Sequence, residues 1–206
     1  MTEPTISPQI FRRQDESADE RFYDFPRFVR HIDDAAIAAV TELYREFFTG
    51  GAILDLMSSW VSHLPEEISF ARVAGLGLNA AELAANTRLT ENVVQSLNRE
   101  PLLPFGDSEF DGAAICVSVQ YLTEPIEVFR EIARVLKGNV PFVVTFSNRC
   151  FPTKAVYAWN ALDDNGHLEL VREYFIRSEN FSEIEIRRHE PHGGDPLFGV
   201  IGRVQK

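Results

Sequence analysis

Residues 103–148 read LPFGDSEFDGAAICVSVQYLTEPIEVFREIARVLKGNVPFVVTFSN. The apolar run at residues 112–119 is short and β-branched enough to be a buried strand, and residues 141–146 form a second such run. Between the two runs, Pro125 stands where a first helical residue often does, and apolar residues follow at helical spacing until a glycine and a proline stop the pattern. A helix between two strands that are buried on both faces predicts a βαβ crossover in a parallel sheet.

The length and composition of the chain predict one domain with a sizeable core. Of its 206 residues, 45% are hydrophobic and 25% are charged, as in ordinary globular proteins. We expect residues 1–48 to form an N-terminal arm and helical lid, and residues 49–206 to form an α/β core. Within the arm, an aromatic cluster predicts a lid that packs on the core, and a cover over a ligand cleft is the second interpretation; it consists of Phe22, Tyr23, Phe25 and Phe28.

Charge and hydropathy narrow the possible partners. A net charge of −11 repels a phosphate backbone, so a nucleic-acid substrate is disfavoured. No apolar stretch is long enough to span a bilayer, and the first residues lack the apolar core of a secretory signal. These features favour a cytoplasmic location, and they say nothing of oligomeric state. Cys116 and Cys150 are expected to be free thiols.

Three segments resemble the class I S-adenosylmethionine-dependent methyltransferases of type 11. In that family an LPF.D..FD loop enters the fourth strand and EIARVLK.GG closes the next helix, and residues 103–105, 110–111 and 131–138 match this pattern. The resemblance implies a Rossmann-like α/β fold, with a seven-stranded, mostly parallel sheet, one antiparallel strand and helices on both faces. It also implies S-adenosylmethionine as cofactor and a small molecule as methyl acceptor.

The resemblance places the methionine end of the cofactor after the first strand. Asp55 stands in the family's acidic place, but Met57, Ser58 and Ser59 replace its glycine-rich turn. Because side chains with a Cβ atom are poorly suited to left-handed turns, we expect a pocket of different shape here. The two serines could still offer hydroxyls and amides to a carboxylate.

The second and third strands carry further departures from the family. Gly77 stands where the family has a carboxylate for the ribose hydroxyls, and an amide at Asn79 could replace it. The third strand and its exit, at residues 93–98, would present Ser96, Leu97 or Asn98 to the adenine. Gly75, Gly77 and Leu78 also belong to a G-x-G-x-x-A sequence that fits the dinucleotide fingerprint, but the acidic partner expected about 20 positions later is missing, so nicotinamide binding is disfavoured.

The ends of the fourth and fifth strands predict the substrate side. Ser118 would lie beside the transferred methyl group, and the expected substrate contacts are Gln120, Tyr121, Asn148 and Arg149. Arg149 would favour an anionic substrate group.

No residue is assigned as catalytic, since alignment of the reactants can supply much of the acceleration; Tyr121 and His63 are weak candidates for proton removal. A turn with His189, His192 and Asp195 allows a metal site only as a minor alternative. The favoured function is methyl transfer to a small molecule. The alternative is a methyltransferase-like binding or regulatory protein that has lost the cofactor.

Overall fold

The computed structural model describes residues 7–206. The elements are α1 (Asp19–Phe22), α2 (Asp34–Phe47), β1 (Ala52–Leu56), β2 (Arg72–Gly77), α3 (Ala80–Ala85), β3 (Glu91–Val94), β4 (Gly112–Cys116), α4 (Pro125–Val135), β5 (Pro141–Phe146), α5 (Tyr157–Ala161), α6 (Asp164–Ser178), β6 (Phe181–His189) and β7 (Leu197–Val204). No helix of the described residues is both long and apolar enough to cross a membrane.

The seven strands form one mixed sheet in the order β3-β2-β1-β4-β5-β7-β6. Strands β1 to β5 pair in parallel, and β7 pairs antiparallel with both β5 and β6. All six residues of β5 are buried, as expected for a strand covered on both faces. The α/β fold predicted from the sequence, with one antiparallel strand near an edge, is confirmed.

Helices cover both faces of the sheet because each has one apolar face. On one side α4 buries Val128, Phe129 and Ile132, and the ring of Phe129 lies 4.9 Å from that of Phe175 on α6, edge to face. On the other side α2 buries Val40 and other apolar residues against a separate cluster of the sheet. The sequence predicts a helix cap at Asp33 or Asp34, and the structure shows that it is Asp33, whose carboxylate accepts a hydrogen bond from the amide of Ala36 at 2.9 Å.

The third strand ends at Val94, and residues 95–98 form its exit, where the Gln95 side chain donates to the carbonyls of Glu100 and Leu102. The Asn-Gly pair at residues 165–166 predicts an interruption of the following helix, and this prediction is wrong. Asp163 caps α6 through the amide of Gly166, and the helix runs without a break from Asp164.

The N-terminal segment, defined here as residues 12–33, lies across the carboxyl ends of the strands. The described part of the predicted arm is therefore wrapped onto the core; residues 1–6 lie outside the described residues. Phe22 and Tyr23 pack as the predicted lid, each ring partly buried. Phe25 and Phe28 do not, since they are 78% and 53% exposed, so the expected aromatic lid is only half formed.

A buried ionic cluster fixes this segment to the core. The ammonium of Lys154, whose side chain is 1% exposed, lies 2.6 Å from the Ser17 carbonyl and 3.4 Å from the Asp19 carboxylate. The same carboxylate accepts from Arg13 at 2.6 Å and from the Asn98 amide at 2.8 Å. Buried charges persist when every one of them has partners, and here the partners lie up to 137 residues apart in the chain.

We predict that Lys154→Met lowers the free energy of unfolding by about 3 kcal/mol or more, because it leaves the buried Asp19 carboxylate short of one cation. Urea denaturation measures the loss, and limited proteolysis shows whether residues 12–33 become accessible. Lys137→Met is the matched control: its ammonium is half exposed and pairs with Asp111, so it should cost no more than about 1 kcal/mol. Equal losses in the two variants would contradict the anchoring role of Lys154.

Candidate functional site

A cavity of about 330 Å³ lies at the carboxyl ends of the parallel strands. Its walls are the residues that follow β1, β2, β3, β4 and β5, the start of α3, and the N-terminal segment that crosses above them. Open α/β sheets bind their ligands at this edge. The volume is at the lower end of the range for small-molecule sites.

Most of the predicted site residues meet at this cavity. Those that line it are Asp55, Met57, Ser58, Ser59, Gly77, Leu78, Asn79, Ser96, Leu97, Asn98, Ser118, Tyr121 and Arg149. Three others do not line it. Gly75 faces the side chain of Leu89 within the sheet layer, Gln120 is buried and donates to the carbonyl of Val117, and Asn148 is exposed.

Backbone strain is concentrated around this cavity. Met57, His63 and Val117 line it, and each has a positive φ, of 52°, 52° and 42° respectively. A β-branched residue in this region is a true outlier, and such strain persists where the surrounding structure enforces it, often at functional sites. The expectation that residues with a Cβ atom could not form the left-handed turn after β1 was therefore wrong at Met57.

The carboxylate of Asp55 is buried at the end of β1. One of its oxygens accepts hydrogen bonds from the hydroxyls of Ser58, at 2.6 Å, and Ser62, at 2.7 Å. Burial raises the pKa of Asp55 to about 6, and the two hydroxyls oppose part of that shift. At neutral pH the cavity wall thus carries a buried negative charge at the place predicted for the methionine end of the cofactor.

The raised pKa gives a pH dependence of stability. The folded protein retains the Asp55 proton up to about pH 6, whereas the ordinary value is 3.8, so stability falls as pH rises through this window. Asp55→Asn keeps an oxygen that accepts both hydroxyl hydrogen bonds and carries no charge. We expect its stability relative to the native protein to grow by about 2 kcal/mol between pH 4.5 and 8, measured by urea denaturation. A difference that does not change with pH would contradict a buried ionised Asp55.

Gly77 is packed too closely to carry any side chain. An added Cβ would lie 2.2 Å from the Ser58 carbonyl oxygen, which is rigid backbone because the Ser58 amide donates to the carbonyl of Leu76 at 2.8 Å. The place of the family's ribose carboxylate is therefore occupied by the turn after β1. Close packing also explains the glycines of the dinucleotide fingerprint. Gly75 leaves space for the side chain of Leu89, and Gly77 leaves space for the backbone carbonyl of Ser58.

We predict that Gly77→Ala lowers the free energy of unfolding by about 1–3 kcal/mol, since the new methyl group overlaps the Ser58 carbonyl. Gly77→Asp should do at least as much damage. Gly106→Ala is the control, because its nearest contact would be the flexible Glu109 carboxylate at 3.4 Å. Thermal and urea unfolding measure the losses, and a Gly77→Asp variant as stable as the native protein would refute the close packing.

Glu82 is the acidic residue that sequence reasoning missed on this wall. It is 6% exposed at the start of α3, and its carboxylate accepts from the Ser59 hydroxyl at 2.6 Å and from the amide of Arg27 at 2.7 Å. Asn79, the predicted substitute for the ribose handle, is already occupied. Its oxygen caps α3 and its amide nitrogen donates to the carbonyls of Tyr23 and Asp24.

Asn98, beyond the end of β3, also has a structural task. Its amide nitrogen donates to the Asp19 carboxylate and to the Tyr121 carbonyl, and its oxygen accepts from the amide of Thr123. Ser96 and Leu97 are buried beside it on the cavity wall. This end of the cavity is thus held by the N-terminal segment and by the turn after β4 together.

At the substrate side, the Tyr121 hydroxyl accepts from the amide of Phe151 at 2.9 Å, and burial raises the pKa of Tyr121 to about 12. Burial lowers the pKa of His63 to about 4, with a further contribution from Arg30. Tyr121 is thus protonated and His63 neutral at pH 7. The hydroxyl of Ser118, just beyond β4, is buried without a hydrogen-bond partner within residues 7–206.

Arg149 lies at the rim, with a side chain that is 63% exposed, and its Nε donates to the Asp195 carboxylate at 2.7 Å. The Asp195 carboxylate also accepts a hydrogen bond from the amide of Asp33. These contacts give Asp195 a structural role in the turn, which does not require the minor metal hypothesis. In residues 7–206, no three His, Cys, Asp or Glu side chains are grouped as metal ligands.

Residues 57–144 match the sequence model of a methyltransferase domain, and no curated protein sequence matches the chain. Among solved structures, the [4+2]-cyclase SpnF superposes with a TM-score of 0.61 at 16% identity, over 90% of this chain and 91% of that one. Phosphoethanolamine N-methyltransferase 2 of Haemonchus contortus gives 0.62 at 14% identity, over 98% and 62%. A methyltransferase from Thermotoga maritima gives 0.58 at 16%, over 84% and 91%.

These comparisons confirm the resemblance found in the sequence. The chain has the Rossmann-like fold of class I S-adenosylmethionine-dependent methyltransferases, and its residues 57–144 are similar to a methyltransferase domain.

Proposed function

We propose that the chain transfers a methyl group from S-adenosylmethionine to a small-molecule acceptor bound in the same cavity. The observation that carries the proposal is the position of the Asp55 carboxylate. It lies at the end of the first strand, on a cavity wall shared with Ser118 beyond the fourth strand, and the matched methyltransferase domain begins two residues later. Ligands of this fold class bind between such strand ends.

The residues present offer partners for most parts of the cofactor. Asp55 would accept hydrogen bonds from the cationic amine, and Ser118 has a hydroxyl without a partner in residues 7–206. Gly77 cannot serve the ribose, so Glu82 would accept its hydroxyls; a carboxylate has about four acceptor sites and only two are used here. Ser96 and Leu97 would border the adenine.

When bound, the cofactor would supply an activated methyl group on its sulfonium. The task of the chain is then to align the acceptor, to exclude water and to keep the acceptor nucleophilic. Tyr121 is protonated at neutral pH and His63 is a weak base, so neither is well suited to remove a proton. This favours catalysis by positioning, with an acceptor that is already nucleophilic at neutral pH.

One contact favours a second candidate function: the Ser58 carbonyl packs against Gly77. It removes the ribose handle of the family, and a buried pair of hydroxyls without an acceptor would cost roughly a hundredfold in affinity. A methyltransferase-like binding or regulatory protein would tolerate this loss. The fold does not decide the matter, since one of the similar structures is described as a [4+2]-cyclase.

Calorimetry with S-adenosylmethionine and its demethylated product tests the proposal. We expect saturable binding of both to the native protein. The affinity of Asp55→Asn should be lower by roughly tenfold or more, because the variant loses a charge-assisted contact to the amine. Asp107→Asn is the control, because that side chain is 77% exposed and does not line the cavity. NAD, included as a second ligand, should give no heat. A folded native protein that binds neither cofactor form would favour the binding module.

A further inference from the structure

The Lys and Arg side chains that line the cavity are not equivalent. Except for Arg27, each of them has a carboxylate partner: the pairs are Arg30 with Asp34 at 2.8 Å, Arg149 with Asp195 at 2.7 Å, and Lys154 with Asp19 at 3.4 Å. Within residues 7–206, no carboxylate lies within ion-pair distance of the Arg27 guanidinium. Arg27 therefore brings to the cavity wall a positive charge that has no direct carboxylate partner in residues 7–206.

The Arg27 side chain is held in place by aromatic rings and one carbonyl. Its Nη2 donates to the carbonyl of Phe22 at 2.7 Å, and its Cζ lies 4.6 Å from the ring centre of Phe22, 5.3 Å from that of Tyr23 and 5.7 Å from that of Phe151. Its Nη1 is buried with no acceptor among the described residues. A buried donor of a charged group without a partner is costly, so this guanidinium would gain from an acceptor that enters the cavity.

The acidic residue beside Arg27 does not fill that need. Glu82 accepts from the backbone amide of Arg27, not from its guanidinium, and its other oxygen accepts from the Ser59 hydroxyl. The side chain of Arg27 lies instead toward Phe151, in the loop after β5, on the substrate side of the cavity. There the ring of His31 packs edge-on against Phe151, and that of Tyr121 lies 6.2 Å away.

We propose that Arg27 binds an anionic group, a carboxylate or a phosphate, of the acceptor molecule, whose apolar part lies among the rings of Tyr23, His31, Tyr121 and Phe151. The sequence had pointed to Arg149 for this role, but Arg149 is mostly exposed and already paired with Asp195. Only the description of the ligand as the methyl acceptor rests on the proposed function; the anion subsite itself rests on the contacts of Arg27.

Simple aromatic probes test the subsite on the native chain. Benzoate and phenyl phosphate carry the two anions, and benzamide and benzyl alcohol are neutral probes of similar size. By calorimetry or ligand-observed NMR, we expect at least one anion to bind roughly tenfold or more tightly than the neutral probes, because a charge-assisted hydrogen bond to a buried guanidinium is strong. The tighter of the two anions identifies the group. Equal affinities for anionic and neutral probes would overturn the proposal, and this result needs no variant.

Variants then assign the preference to one arginine. Arg27→Gln should remove it and Arg27→Lys should retain part of it, while two controls should leave it unchanged: Arg149→Gln at the rim, and Arg21→Gln, which lies on the same segment but does not line the cavity. A preference that survives in Arg27→Gln and is lost in Arg149→Gln would refute the assignment. Titration of the demethylated cofactor separates the two proposals. Anion binding through Arg27 without cofactor binding would support the anion subsite and contradict methyl transfer. Cofactor binding without an anion preference would contradict the anion subsite alone.

Discussion

The site depends on one close backbone approach, in which the Ser58 carbonyl lies against the Cα of Gly77. It requires a glycine on β2 and a left-handed residue at Met57, and the second requirement stores strain of about 1–2 kcal/mol for a side chain with a Cβ atom. The amide of Ser58 then donates to the carbonyl of Leu76, which ties the turn after β1 to the neighbouring strand. The same turn places the Ser58 hydroxyl on Asp55. Because the Ser58 carbonyl occupies the space beside Gly77, the acceptor groups for a ligand are those of Glu82, at the start of α3.

The second constraint is the attachment of the N-terminal segment across the strand ends. Lys154, Asp19 and Arg13 are nearly fully buried, and removing such charges from water costs several kcal/mol per ion unless their contacts are complete. The cluster therefore specifies one position of the segment more than it adds stability. That position brings Tyr23 and Arg27 to the cavity and covers it from above. Any ligand must therefore bind beneath the N-terminal segment, which is attached to the core at the substrate side of the cavity.

How much the sequence predicts depends on whether a feature is local. The unit from β4 to β5 follows from periodicity and turn residues within about ten positions, and it is as predicted. A lid at Phe22 and Tyr23 was expected, but the polar contacts of the N-terminal roof were not predictable in this way. Glu82 contacts Arg27 across 55 residues, and no local pattern shows that a guanidinium in an arm of mixed polarity lies inside a cavity. The left-handed Met57 was missed for a related reason: tertiary contacts enforce it against local preference.

The whole chain has a negative net charge. One end of the cavity is likewise acidic, whereas the other end carries a positive charge. The acidic group of Asp55 lies at the end of β1 and that of Glu82 at the start of α3, whereas the guanidinium of Arg27 faces the loop after β5. A net charge of −11 opposes the approach of an anion, but surface charges farther away than about 8–10 Å are largely screened at physiological salt. A guanidinium about 4 Å from a bound anion contributes about 4 kcal/mol of attraction in a partly buried site before desolvation is subtracted. The local charge therefore outweighs the global one, and the cavity can favour a cationic donor at one end and an anionic acceptor at the other.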